Sequence, residues 1–153
     1  MVQRTRFDDN ECPVARSVDA IGDWWSLLIV RDAFDGSRRF GEFQRSLGVA
    51  KNILASRLRA LVAGGVLEVV PASDGSAYNE YVPTAKGRDL FPVIVALRQW
   101  GEAHFFDPEE PHSDLVDRRH GRPLRPLEVR AADGRRVGPE GTQVHKVGEA
   151  GGE

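Results

Sequence analysis

Apolar positions recur at helical spacing, then alternate, then return to helical spacing, and their order predicts most of the elements. Val14, Val18 and Ile21 repeat over Pro13 to Ile21, with Pro13 suited to a first helical position and Cys12 to the cap before it. Trp24 to Phe34 (WWSLLIVRDAF) is apolar nearly all round, the pattern of a central buried helix. Phe40, Phe43 and Leu47 share one face of a short helix from Phe40 to Ser46, and Gly48 is suited to end it in a left-handed conformation. Leu54, Leu58 and Leu61 form one stripe on a helix from Ala50 to Ala63, stopped by Gly64-Gly65. Val66 to Pro71 and Tyr78 to Pro83 read as strands joined by a turn over Ala72 to Ala77 that contains Asp74-Gly75. Thr84 is a good cap for a helical pattern from Ala85 to Phe106, in which Pro92 demands a kink or the start of a second helix.

Two short helices around a glycine-containing turn, with a hairpin behind them, predict a mainly α fold with a small β-hairpin wing (α+β), a winged helix-turn-helix. On the second helix of the motif the leucine stripe places Asn52, Ser56 and Arg59 on the opposite face, with Lys51 and Arg57 on the flanks. These side chains suit base edges or phosphates. Between Gly36 and Val62 six basic residues (Arg38, Arg39, Arg45, Lys51, Arg57, Arg59) stand against Glu42 alone. That local surplus sits in a chain of 153 residues whose net charge is -2, which argues for one basic face and against general nucleic-acid packaging.

The length suits one domain of residues 12–106 with an appendage, after a flexible N-terminus of residues 1–11. A single cysteine excludes an intrachain disulfide and a multi-cysteine zinc site, so no metal or cofactor is expected. No apolar run approaches the roughly 18 residues of a membrane span, and the N-terminus has no apolar signal region, so the expected setting is cytoplasmic. From Asp107 the composition turns polar and rich in Pro and Gly. Residues 107–153 read as a mixed polyampholyte, with a small hairpin around Ala132-Asp133-Gly134 and a disordered end from His145. The apolar content of Phe91 to Phe106 exceeds what a small winged-helix core needs, and the surplus predicts a homodimer seam.

With these residues assembled, the chain resembles the HxlR-type winged-helix regulators, relatives of the MarR group. The resemblance rests on CPVARSVDAIGDWWSLLIVRD, RRFGEF, the ASRLRALVAGGVLE stretch and YVPTAKGRDLFPVIVALRQWG, over about residues 12–106. It implies a DNA-binding homodimer joined through its N- and C-terminal helices, acting as a transcriptional repressor or activator at (pseudo)palindromic operators. It implies further that Lys51, Asn52, Ser56 and Arg57 face double-stranded DNA from the recognition helix and that Arg38 and Arg39 bind phosphate. Arg59 comes from the helical wheel. The wing tip departs from the pattern: SDGSA carries Asp74 and no lysine or arginine, so Tyr78 and Asn79 are the candidates for backbone contact.

Cys12 matches a position at which members of that family sense oxidants or electrophiles, and a thiol at a helix start meets free N–H groups that favour thiolate. A small apolar effector is the second candidate input, with Trp24, Trp25 and Trp100 as lining. The residues do not read as an enzyme: there is no serine-histidine-acid spacing and no GxGxxG, and Cys12 lacks an evident activating base. The competing reading is a winged helix that holds protein partners and has lost DNA binding. His112, His120 and His145 in the tail read as solvated surface residues.

Overall fold

Leu54, Leu58 and Leu61 are fully or almost fully buried, and the core is built around them. The computed structural model describes residues 5–148. Residues 149–153, part of the end expected to be disordered, and residues 1–4 lie outside the described residues. The elements run α1 (Pro13–Ile21), α2 (Trp24–Phe34), α3 (Phe40–Leu47), α4 (Lys51–Ala63), β1 (Leu67–Pro71), β2 (Asn79–Pro83), α5 (Ala85–Arg88) and α6 (Phe91–Phe105). The described chain forms two compact units that part between Ile94 and Val95, inside α6 and ahead of the change in composition at Asp107.

In the first unit, α2, α3 and α4 close over Ile29, Val30, Phe43, Leu54, Leu58 and Leu67. Local chemistry fixes the ends of these helices. Asp23 caps α2 by accepting from the Ser26 amide at 3.0 Å. Gly48 ends α3 at φ 62, and its amide donates to the Gln44 carbonyl at 2.8 Å. Lys86 donates to the Gly64 carbonyl at 2.7 Å, meeting one of the acceptors left over at the end of α4. The expectation for α2 is corrected in part. Trp24 is 72% exposed at its first position, while Ser26 and Asp32 are buried, so the helix is not apolar and buried all round.

β1 and β2 pair antiparallel, with Val69 opposite Tyr81 and Pro71 opposite Asn79. The connecting turn carries Gly75 at φ 76. Arg38, in the link before α3, accepts from the Tyr81 amide at 2.7 Å and adds one rung on the other side of β2. Thr84 caps α5 by accepting from the Gly87 amide at 3.0 Å, and its own hydroxyl donates to the Gly65 carbonyl at 2.5 Å. Gly87 lies so close to β1 that an added Cβ would sit 2.1 Å from the Val66 carbonyl oxygen. Of the two outcomes open at Pro92, the chain takes the second: α5 ends at Arg88 and a new helix starts at Phe91.

In the second unit the rest of α6 is accompanied by the extension. Gln99 holds it with both ends of its amide, donating to the Arg125 carbonyl at 3.1 Å and accepting from the Leu127 amide at 2.8 Å. Arg130 and Arg136 pair across a turn closed by Gly134 at φ 88.

Candidate nucleic-acid interface

With its leucines turned inward, α4 presents Lys51, Asn52, Ser56 and Arg59 to solvent. Among the described residues none of these four side chains has a hydrogen-bond or ion-pair partner. Their donors are therefore available to an outside acceptor. The cap residue before α4 is Ala50, which offers no side-chain acceptor to the amides of the first turn.

The three other cations expected to face DNA are already engaged inside the chain. Arg57 is half-buried and lies with its Nε 3.4 Å from the Asp23 carboxylate, the group that caps α2. Arg38 reaches Glu80 at 3.2 Å. Glu80 is buried and also accepts from the Ser73 amide at 2.9 Å and the Ser73 hydroxyl at 3.0 Å. The Ser73 amide and then Arg38 hold its carboxyl below the ordinary glutamate value, against the opposing effect of burial. Arg39 meets Asp74 of the wing tip at 2.5 Å and lies 5.2 Å above the ring of Tyr78. The Ser76 amide, then the Ser76 hydroxyl and Arg39, lower Asp74 to about 2. The same pairing raises Arg39.

Two wing carboxylates thus occupy the two arginines ahead of α3. No local pattern announces this. The partners are 35 and 42 residues apart, and only the hairpin brings them together. We expect Asp74→Asn to release Arg39 for phosphate. Affinity for random duplex should then rise about two- to tenfold at low salt, and the plot of log affinity against log salt should steepen by about one unit. A salt titration by fluorescence anisotropy measures both.

The remaining candidate residues are dispersed. Cys12 is exposed at the cap of α1, where its amide donates to Asn10 Oδ1 at 2.9 Å. Trp25 packs partly against the core, with Trp24 edge-on to it at 6.2 Å. Trp100 is 58% exposed, beside Phe105 at 5.1 Å. A shallow apolar depression of about 120 Å³ in the first unit is lined by Ser17, Ala20, Ile21, Val66, Lys86 and Leu90, with no tryptophan among them. Tyr78 and Asn79 are both exposed. Among the described residues no group of three or more His, Cys, Asp or Glu side chains is placed to hold a metal ion.

A buried stripe backing an open polar face, one turn after a first helix and with a hairpin behind it, defines a winged helix-turn-helix. The chain belongs to the HxlR-like helix-turn-helix family, whose model matches residues 20–109. An HTH-type transcriptional regulator of Mycobacterium tuberculosis is 47% identical over 98 residues, which are 64% of this chain and 62% of that one. The chain thus spans less than two thirds of that relative's length. The crystal structure of PA1607, described as a transcription factor, superposes with a TM-score of 0.87 at 58% identity, covering 93% of this chain and 99% of that one. That match takes in the extension. The redox regulator HypR in its oxidised form matches with a TM-score of 0.56 at 32% identity, over 61% of this chain and 97% of its own.

Proposed function

We propose that this chain is a sequence-specific DNA-binding transcriptional regulator, a repressor that holds a (pseudo)palindromic operator as a homodimer in the cytoplasm. The observation that carries the reading is the open face of α4, where Lys51, Asn52, Ser56 and Arg59 stand without a partner among the described residues, over a buried leucine stripe. In this reading those four residues contact DNA directly. Arg57 sets the seat of α4 against the start of α2, and Arg38 and Arg39 share themselves between wing carboxylates and phosphate. Dimerisation is supported by apolar surface that each unit leaves open. Val14 is 69% exposed on α1, and Leu97 and Phe105 are 47% and 66% exposed on α6. The chain acts by binding and not by catalysis.

The test is a footprint on the region upstream of the chain's own gene. Protection of two half-sites about one helical turn apart is expected. Equal affinity for that region and for random duplex would refute the reading. The committed state of Arg38, Arg39 and Arg57 favours a second reading, a protein-interaction winged helix without DNA binding. The same experiment separates the two.

The input we assign to Cys12 is an oxidant or electrophile. The thiol is exposed, and a structural relative, HypR, is a redox regulator. Cys12→Ser should keep full DNA affinity and lose oxidant-dependent release. Release that persists in the variant would move the input elsewhere, with a small apolar ligand near Trp24, Trp25 or Trp100 as the alternative.

A further inference from the structure

We propose that the loop Asp117–Arg122 of the extension is a second grip on duplex DNA, one that holds the phosphate backbone without reading sequence. The inference rests on the DNA-binding reading above and adds a surface to it. Averaged over its length the extension is nearly neutral, but its charges are segregated. Asp107, Glu109, Glu110, Asp114 and Asp117 come first, and residues 118–125 then hold Arg118, Arg119, Arg122 and Arg125 with no acid.

The fold makes that cluster rigid. Val116 and Pro123 form an antiparallel bridge. Below the tip, the Asp117 amide donates to the Arg122 carbonyl at 2.8 Å and the Gly121 amide to the Asp117 carbonyl at 2.9 Å. Gly121 turns the chain at φ 65. The one acid of the loop is spent on the backbone: Asp117 accepts from the His120 amide at 2.7 Å and the Arg122 amide at 3.1 Å. Both legs are pinned to α6. Arg98 donates to the Ser113 carbonyl at 2.9 Å on one side, and Gln99 holds Arg125 and Leu127 on the other.

Arg118, Arg119 and Arg122 project from this frame, exposed and with no ion-pair partner among the described residues. The next turn shows what internally engaged arginines look like here. Arg130 and Arg136 pair with Glu128, and Arg135 pairs with Asp133. Guanidinium groups held on a closed loop bind phosphate through paired N–H donors and lose little freedom in doing so. The tip carries no aliphatic side chain and no Phe, Tyr or Trp to enter a membrane or anchor in a protein pocket. A polyanion contacted through its backbone is the partner that fits.

The test uses the full chain carrying Arg118→Gln, Arg119→Gln and Arg122→Gln together, with Arg→Lys at the same three positions as a charge-retaining control. Anisotropy titrations on the footprinted duplex and on random duplex are run across a salt series. Counterion release predicts that the glutamine variant lowers the log–log salt slope by about two to three units per protomer. It should weaken both duplexes by the same factor and leave their ratio unchanged, while the lysine variant recovers most of the slope. A glutamine variant with the wild-type melting temperature, slope and affinity would overturn the proposal. So would an effect confined to phosphatidylserine vesicles or to single-stranded RNA. If wild type itself binds no duplex, the regulator reading fails as well. If wild type binds and the glutamine variant binds equally, only the role of the loop is lost.

Discussion

Lys51→Ala combined with Arg59→Ala should weaken binding to the footprinted duplex by about thirty- to a thousandfold, the equivalent of about 2–4 kcal/mol. The effect is large because these two cations have no partner among the described residues, so their removal disturbs no described contact in the free protein and what they contribute is contributed to the complex. Both are exposed on α4, with the leucine stripe behind them intact. Thermal unfolding should therefore be unchanged within a degree or two. Random duplex should weaken less than the operator, since a base-directed arginine discriminates and a phosphate-bound lysine does not. Arg57→Ala offers an internal contrast. It breaks the pair with Asp23 and should lower the melting temperature as well as the affinity. Unchanged operator binding in the double variant would remove α4 from the interface.

Leu58→Ala should destabilise the first unit by about 2–5 kcal/mol and lower its melting temperature by on the order of 10 °C. Leu58 has no solvent exposure and lies between Leu54 and Leu61 in the stripe that α2, α3 and β1 close upon. Truncation removes apolar contacts and leaves a void that refills only in part, in a core whose other members, such as Phe43 and Ile29, are also fully buried. DNA affinity measured well below the new midpoint should be nearly normal, since the polar face of α4 is untouched. A midpoint shift of only a degree or two would mean that the core is organised elsewhere.

What the sequence discloses and what it conceals divide along sequence distance. Pro13 at a helix start, Gly48 in the left-handed region, Thr84 over the Gly87 amide and Asp74-Gly75 in a turn are all legible, because each acts on backbone within a few residues of itself. The leucine stripe is legible for the same reason, since its period is that of the helix carrying it. The pairs Arg57–Asp23, Arg38–Glu80 and Arg39–Asp74 are not legible. They join elements far apart in the chain and turn an apparent surplus of six cations into a smaller free set. Trp24 shows the converse limit: an apolar pattern states a preference for burial, and the position of α2's first turn overrules it.

The rung from Arg38 to Tyr81 has a bearing on how the molecule behaves in concentrated solution. A two-stranded ribbon normally exposes hydrogen-bonding groups along both margins, and a neighbouring molecule can extend it into a cross-β stack. Here one margin is occupied by the chain's own linker. The other belongs to a strand that is short, carries exposed Glu68, and ends in Pro71, which has no amide hydrogen to offer. The hairpin is thus poorly suited to seed fibrils, even with its tip open to solvent.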